Sequence, residues 1–148
     1  MKKKLSRYKV REQAFILCFE KMFHNDSIDD IIVNTFEGRD LVLDDEVIQI
    51  CKEIENRAAE LDDLISKYLK SGWKLNRISK ISFSILRLAL YEMLYIEDIP
   101  VNVSINEAIE LSKKYSGPED GAFVNGVLAN IERALKLNEK ESSSKEEI

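Results

Sequence analysis

The sequence predicts an all-α protein. The chain has 148 residues with only five Gly and two Pro, too little turn punctuation for a sheet protein of this length. Its apolar residues recur at three- and four-residue intervals over long stretches, which is the period of helices with a buried face. With 45% hydrophobic residues, a chain of this size buries about two thirds of its unfolded surface. We therefore expect one helical domain over residues 1–137.

The first predicted helix runs from Tyr8 to about Phe23. One apolar stripe consists of Ala14, Leu17, Cys18 and Met22, and a second, aromatic stripe consists of Phe15, Phe19 and Phe23. A helix with one core-facing side needs a single stripe about 100° wide. The aromatic stripe therefore either packs against a further helix or binds a partner protein.

A short second helix is predicted from Ile28 to Phe36. Ser27 is a suitable N-cap residue, and the acids that follow it favour the positive end of a helix. Gly38 is expected to end this segment.

A long third helix is predicted after the acidic start at Asp44 and Asp45. Apolar residues alternate four- and three-residue spacing from Val47 to Tyr68, the pattern of a helix lying along a bundle. Ser71 and Gly72 end it. Such a seam packs within the chain or against a second copy, so both a monomer and a homodimer remain open.

The segment from Ser82 to Ile96 is apolar on nearly every side, which predicts a central helix. Arg87 lies in its middle. Because an unpaired buried charge costs several kcal/mol, Arg87 needs a partner, and Glu107 and Glu110 are the candidate carboxylates.

The next helix is predicted from a capping box at Ser104–Glu107, after Pro100 interrupts the chain, and ends near Tyr115. A last helix opens with Pro118, which is favourable in a first turn. Gly121 and Gly126 each disfavour that helix by about 1 kcal/mol relative to alanine. We expect them to mark close approach of the backbone to a helix or a ligand.

Residues 138–148, NEKESSSKEEI, are polar and charged. They offer too little apolar surface to offset the entropy of ordering. We expect a disordered acidic C-terminal tail.

Charge is distributed unevenly along a chain whose net charge is -5. The first eleven residues hold six cations and no acid, and a second acid-free window runs from Leu64 to Tyr91 with Tyr68 and Trp73 among its cations. Cations beside aromatic faces are typical of single-stranded RNA binding. The alternative interpretation of each region is a solvated lysine face without a partner.

Catalysis and metal binding are not indicated. Cys18 and Cys51 lie far apart in the sequence among apolar neighbours, and His24 is the only histidine, so we expect buried inert thiols and no metal site. The chain has no glycine-rich cofactor loop and no nucleophile with a histidine-centred triad. We therefore expect no cofactor and no enzyme activity.

The first residues lack the apolar stretch and cleavage site of a secretory signal. The most apolar segment, Ile81–Ile96, is shorter than a bilayer span and contains Arg87 and Glu92. We expect a cytoplasmic protein without a membrane partner.

Four sequence blocks resemble the signature of the NusB family in order and spacing. They are ILRLALYE at Ile85–Glu92, Ile99-Pro100, INEAIEL at Ile105–Leu111 and FVNGVL at Phe123–Leu128. Arg11-Glu12 followed by Ala14 resembles the family's arginine-rich first helix. The resemblance extends from about Arg7 to Leu135.

The resemblance implies a fold of about seven helices in two packed subbundles. It also implies binding to the boxA element of rRNA leader transcripts, jointly with the ribosomal protein NusE, within the RNA polymerase antitermination complex. The basic first helix and the start of the last helix, Glu119–Asn125, would form the RNA surface.

The candidate site residues combine the charge pattern with this resemblance. For RNA they are Lys3, Lys4, Arg7, Tyr8, Lys9, Arg11, Lys74, Arg77, Glu119, Asp120, Phe123 and Asn125. For a protein partner they are Phe15, Phe19, Phe23, Lys80 and Ser82.

The sequence departs from the family pattern at four positions. Ala122 replaces a frequent basic residue, Ile16 a frequent glutamine, and Ser82 an acid used toward NusE in some members. Tyr8 stands where arginine is common and could stack on a base instead.

Two other function classes predict different behaviour. A pure helical scaffold would bind no RNA. The same type of domain also accompanies the catalytic domain of an rRNA cytosine methyltransferase, where it acts as an accessory RNA-binding module.

Overall fold

The computed structural model describes residues 6–23, 30–31, 44–69 and 77–137, and these contain helices and no strand. Six helices are defined there: α1 Arg7–Lys21, α2 Asp45–Asn56, α3 Ala58–Lys67, α4 Lys80–Tyr95, α5 Val101–Tyr115 and α6 Pro118–Leu135. They fall into two compact units that divide between Arg57 and Ala58. The all-α prediction is confirmed.

Some predicted segments lie outside the described residues. Of the expected Ile28–Phe36 helix only Asp30 and Ile31 are described, and both are helical. The Ser71–Gly72 helix end and the 138–148 tail fall wholly outside. The described residues thus contain six helices, whereas about seven were expected for the chain.

Helices α1 and α2 both begin at side-chain caps. The Ser6 hydroxyl accepts a hydrogen bond from the Lys9 backbone N–H at 3.2 Å. The Asp44 carboxylate accepts one from the Glu46 N–H at 2.7 Å, and two acids follow in the first turn of α2. Such caps satisfy amides that have no partner within the helix, so local sequence fixes both starts.

The first unit pairs α1 with α2 in parallel. Contacts between the helices advance together along the chain: Arg7 with Glu46, Ala14 with Cys51, and Lys21 with Glu55. Apolar residues of both helices fill the core of this unit, namely Val10, Ala14, Phe15, Leu17 and Cys18 of α1 and Val47, Ile50, Cys51 and Ile54 of α2.

The long helix predicted from Val47 to Tyr68 is interrupted, so that prediction is wrong. Arg57 leaves the helical conformation with φ -105° and ψ 11°, and α3 begins at Ala58. The apolar spacing continues through the break because α2 and α3 each bury a stripe of apolar residues. The break coincides with the division between the two units, so each segment packs in a different core.

The second unit is built around α4, which packs against α3, α5 and α6. Eleven of its sixteen residues are buried, which confirms the predicted central helix. The hydroxyl of Ser79 caps its start by accepting from the Ser82 N–H at 3.1 Å. Within the ranges described above, no helix combines the length and apolar character that a membrane crossing requires.

Arg87 is paired with Asp62, and the expectation of Glu107 or Glu110 as its partner is wrong. Its Nε and Nη2 donate to the two Asp62 carboxylate oxygens at 2.7 and 2.6 Å. The guanidinium also lies 4.4 Å from the centroid of the Phe83 ring. This bidentate contact ties α3 to α4, because α3 supplies the carboxylate that the sequence spacing did not reveal.

The capping box predicted at Ser104–Glu107 is also wrong, because α5 starts earlier, at Val101. The carbonyl of Pro100 accepts the first helical hydrogen bonds, from Val103 and Ser104. The Ser104 hydroxyl instead donates to the buried carboxylate of Glu92 at 3.0 Å. This hydrogen bond joins α4, which carries Glu92, to α5.

The two glycines of α6 differ in their surroundings. A Cβ on Gly121 would lie 3.6 Å from Ile109 Cγ2 and 3.8 Å from Lys113 Cγ, so the predicted close approach to another helix is confirmed there. A Cβ on Gly126 would meet nothing within 4 Å. Close packing on a helix is therefore wrong for Gly126, and approach to a ligand stays a prediction.

Candidate nucleic-acid interface

The first turn of α1 presents three neighbouring side chains to solvent: Arg7, Tyr8 and Lys9. Tyr8 is 39% exposed, and the Lys9 ammonium lies 5.9 Å from the centroid of its ring. A cation beside an accessible aromatic face is a suitable arrangement for a phosphate and an adjacent unpaired base. The candidate residues Lys3 and Lys4 precede this turn and lie outside the described residues.

Glu12 lies one turn farther along α1 and contacts two of these side chains. The Tyr8 hydroxyl donates to Glu12 Oε2 at 3.3 Å, and Lys9 Nζ lies 3.5 Å from Oε1. Glu12 itself is 7% exposed. Sequence reasoning did not single out Glu12, although the three- and four-residue spacings are those of neighbours on a helix face.

Arg7 forms an ion pair with Glu46 of α2. Both side chains remain partly accessible, with 44% and 36% of their side-chain surface exposed. Exposed pairs of this kind contribute little to stability. The guanidinium can therefore exchange this carboxylate for a phosphate at small cost.

The structure places Arg11 in the interior, with 5% of its surface exposed. Its side chain is therefore not presented to solvent, and a contact of Arg11 with RNA stays a prediction. Arg11 lies three, four and seven positions before Ala14, Phe15 and Cys18, so it shares the helix face that packs into the core.

The start of α6 supplies acidic and amide groups and no cation. Glu119 and Asn125 are exposed, and Asp120 and Phe123 are half-buried. Asp120 accepts a hydrogen bond from the Ser116 hydroxyl. Carboxylates and amides of this kind can bond to base edges or ribose hydroxyls, whereas they do not attract phosphates.

The second acid-free window, Leu64–Tyr91, contains three of the candidate cations. Arg77 is exposed just before α4, and Lys80 is exposed at its first residue. Lys74 lies outside the described residues. Ser82 is 1% exposed, and its hydroxyl has no hydrogen-bond partner within the part of the chain that the structure describes. The predicted partner residue Ser82 is thus absent from the surface.

The aromatic stripe of α1 extends from the core to the surface. Phe15 is 2% exposed and Phe23 is 53% exposed, while Phe19 is half-buried between them. Neighbouring rings lie 6.1 Å and 5.0 Å apart. Phe15 therefore belongs to the core, which leaves Phe19 and Phe23 as the accessible part of the stripe.

The two cysteines, distant in sequence, come together between α1 and α2. Both are reduced and buried, and the Cys51 thiol donates to the Ala14 carbonyl at 3.7 Å. A hydrogen bond with Cys18, followed by burial, raises the pKa of Cys51 well above its usual value. No spacing signal in the sequence reveals this proximity, since it depends on the pairing of the helices.

No group of three or more His, Cys, Asp or Glu side chains suited to a metal ion occurs among the described residues.

The sequence matches the NusB family over residues 3–133. It is 39% identical over 145 residues to the transcription antitermination protein NusB of Acetivibrio thermocellus, covering 97% of this chain and 99% of that protein. It is 42% identical to the protein of the same name from Agathobacter rectalis, covering 86% and 99%.

The fold is similar to those of solved NusB structures. For a T. maritima NusB, the TM-score is 0.77 at 33% identity, with 88% of this chain and 93% of that chain covered. For a structure of NusB and NusE in complex with double-stranded RNA, the TM-score is 0.76 at 22% identity, covering 88% and 99%. The latter likeness concerns the fold alone.

Proposed function

The chain belongs to the NusB family, and from this premise we propose that it is a non-catalytic, RNA-binding transcription antitermination factor that supports rRNA synthesis. The observation that carries the proposal is the 39% identity that spans 97% of this chain and 99% of a transcription antitermination protein. Transcription and its nascent RNA place this activity in the bacterial cytoplasm.

The proposed ligand is the boxA element of an rRNA leader transcript, bound jointly with the ribosomal protein NusE. One solved structure of the same fold holds NusB and NusE in complex with double-stranded RNA, which supports the proposed pairing with NusE and RNA. The assembly would act within the RNA polymerase antitermination complex.

The first turn of α1 is the proposed phosphate-binding surface. Arg7 and Lys9 are exposed cations, and the accessible ring of Tyr8 can stack on an unpaired base. The start of α6 is the proposed base-reading surface, because the exposed Glu119 and Asn125 can hydrogen-bond to base edges. Arg77 is a further proposed phosphate contact.

The accessible aromatic residues Phe19 and Phe23 at the end of α1, together with Lys80, are the proposed contacts to the protein partner. Aromatic side chains supply much of the binding energy of protein interfaces when a partner covers them. Phe23, at 53% exposure, has the most surface to bury.

The proposal is tested by fluorescence anisotropy with labelled single-stranded boxA RNA, with and without NusE. The double variant Arg7→Glu, Lys9→Glu is expected to weaken binding by about tenfold or more, because both changes place negative charge against phosphates. The control Arg133→Glu, Lys136→Glu reverses two exposed cations at the end of α6, more than two helical turns beyond Glu119–Asn125, and should bind as the wild type does.

Arg11 is left unchanged in this test, because reversing a residue that is 5% exposed would bury a further carboxylate near Glu12. A wild-type protein that binds neither boxA RNA nor NusE would contradict the proposed function. That result would favour the helical scaffold instead.

A further inference from the structure

We propose that Glu12 is a positioning residue for RNA binding, which holds Tyr8 and Lys9 in the orientation that the nucleic acid meets. This inference rests on the proposed function. It concerns a side chain that is itself hidden from RNA, since Glu12 is 7% exposed. We call Tyr8, Lys9 and Glu12 the α1 cluster.

The α1 cluster is closed by three contacts. The Tyr8 hydroxyl donates to Glu12 Oε2 at 3.3 Å, Lys9 Nζ lies 3.5 Å from Oε1, and the same Nζ lies 5.9 Å from the Tyr8 ring centroid. Each oxygen of the Glu12 carboxylate thus contacts a different exposed side chain. The hydroxyl contact restrains the tilt of the ring, and the ion pair restrains the swing of the lysine.

The groups that RNA needs remain available in this arrangement. Tyr8 is 39% exposed and contacts Glu12 through its hydroxyl, so part of the residue stays accessible to a base. The Lys9 side chain is 57% exposed. An ammonium has three donors, so one can point to Glu12 while others reach a phosphate.

Positioning of this kind strengthens binding by lowering its entropic cost. A lysine side chain has many rotamers, and restricting them before RNA arrives reduces what must be ordered in the complex. The buried carboxylate is suited to this task because it is itself held in the α1 face that packs inward. An exposed acid would be mobile and would restrain neither neighbour.

A purely electrostatic role for Glu12 predicts the opposite sign of effect. Removing a negative charge next to an RNA-binding surface reduces repulsion of the phosphates, so RNA affinity would rise. Positioning predicts that affinity falls although the surface becomes more positive. The direction of the change therefore separates the two roles.

The experiment measures the affinity of full-length Glu12→Gln for fluorescein-labelled single-stranded boxA RNA in the presence of NusE, at several salt concentrations. Glutamine preserves size and removes the charge. We expect affinity to fall about fivefold, the equivalent of one ordinary hydrogen bond. If Lys9 no longer meets its phosphate, the slope of log affinity against log salt should become shallower by about 0.7.

Glu20→Gln is the matched control, because it removes the same charge from the same helix two turns away. Its affinity should stay within about twofold of the wild type, since screening weakens the effect of a distant surface charge. Circular dichroism confirms that each variant keeps its helical content.

Tyr8→Phe provides a second route that leaves the buried carboxylate in place. It removes the hydroxyl that donates to Glu12 and keeps the stacking ring, and we expect weaker RNA binding in a protein of unchanged stability. If Glu12→Gln does not fold, the RNA affinity of Tyr8→Phe tests whether Glu12 positions its neighbours.

Unchanged or tighter binding by a folded Glu12→Gln, or by Tyr8→Phe where Glu12→Gln does not fold, would overturn the inference. In that case wild-type binding that still weakens with salt would leave the proposed function standing. Failure of the wild type to bind RNA at all would instead reject the proposed function.

Discussion

The Arg7–Glu46 pair joins an exposed cation of α1 to an acid in the first turn of α2. Since phosphate and carboxylate compete for the same guanidinium, Glu46 is expected to weaken RNA binding while it stabilises the unit only slightly. The residue that the charge pattern identified as a phosphate contact is thus partly neutralised by an acid that lies far away in the sequence.

Replacing Glu46 with glutamine should raise RNA affinity by about two- to fivefold, because the exposed ion pair that is lost is worth at most about 1 kcal/mol. Anisotropy titration with boxA RNA measures the change. Glu55→Gln is the control, because Glu55 pairs with Lys21 near the other end of the same helix pair. Equal affinities of wild type and Glu46→Gln would remove Arg7 from the proposed contacts.

The contact of Arg87 with Asp62 is a bidentate ion pair within the second unit. Asp62→Ala should lower the free energy of unfolding by about 1.5–3 kcal/mol, the range for hydrogen bonds to charged groups. Urea denaturation measures it. The neighbouring exposed residue gives a control, since Asp63→Ala should change stability by less than about 0.5 kcal/mol. Similar losses in both variants would count against a specific role of this pair.

The raised pKa of Cys51 predicts a pH dependence of stability. In the folded protein, the hydrogen bond with Cys18 and burial raise the pKa of this thiol, so it keeps its proton at a pH where a free thiol would lose it. In the unfolded chain the thiol ionises at the model-peptide pKa of about 8.5. The stabilising contribution is therefore complete below that pH and is lost as the pH rises above it. The expected slope reaches about 1.4 kcal/mol per pH unit.

Urea denaturation of wild type and Cys51→Ala between neutral and alkaline pH measures the contribution of the hydrogen-bonded thiol pair, because Cys18 loses its partner in the variant. The difference in free energy of unfolding between them should shrink as the pH rises. A constant difference would show that Cys51 does not control the alkaline loss of stability.

At the scale of the helices, side-chain caps fix three of the six helix starts in the described residues, while the break at Arg57 has no such local cause. Asp44 caps α2 and Ser79 caps α4 through their own side chains. The break at Arg57 contains neither glycine nor proline, the usual local causes of a sharp change in a helix. It instead marks the change from one compact unit to the other.

Gly126 is an exposed glycine in the middle of α6. A Cβ at this position would meet nothing within 4 Å. Gly126→Ala should raise the free energy of unfolding by about 0.5–1 kcal/mol, because alanine is the better helix former. Ala122→Gly, an exposed change on the same helix, should lower it by a similar amount. Urea denaturation measures both, and destabilisation by Gly126→Ala would reveal close packing at this position.

At the scale of the whole molecule, a net charge of -5 contrasts with the cations proposed to meet RNA. The acidic body opposes long-range attraction of a polyanion. Affinity must then depend on a few local contacts and on the partner protein, which explains why joint binding with NusE is the proposed mode.

The salt dependence of RNA binding should count these contacts. Three exposed cations, Arg7, Lys9 and Arg77, give a slope of log affinity against log salt of about -2, and Lys3 and Lys4 would extend it to about -3.5. Titrations of boxA RNA over a tenfold range of potassium chloride measure the slope. A flat profile would exclude phosphate contacts by these residues.

The sequence by itself determined the helical class, the central place of α4 and the membership of a family of transcription antitermination proteins. Periodicity, caps and signature blocks depend on residues only a few positions apart, so they can be recognised in the sequence without a structure. The candidate site was predicted only in part: Arg7, Tyr8 and Lys9 are exposed, as a basic surface requires, while the neighbouring Arg11 is buried.

Tertiary structure alone decided the partner of each charge and the direction of each side chain that the pattern left open. Asp62 rather than Glu107 or Glu110 meets Arg87, and α5 begins at Val101 rather than at a capping box. These outcomes depend on which helix faces pack together, and a residue's distance to a partner 25 positions away is set by that packing rather than by local sequence.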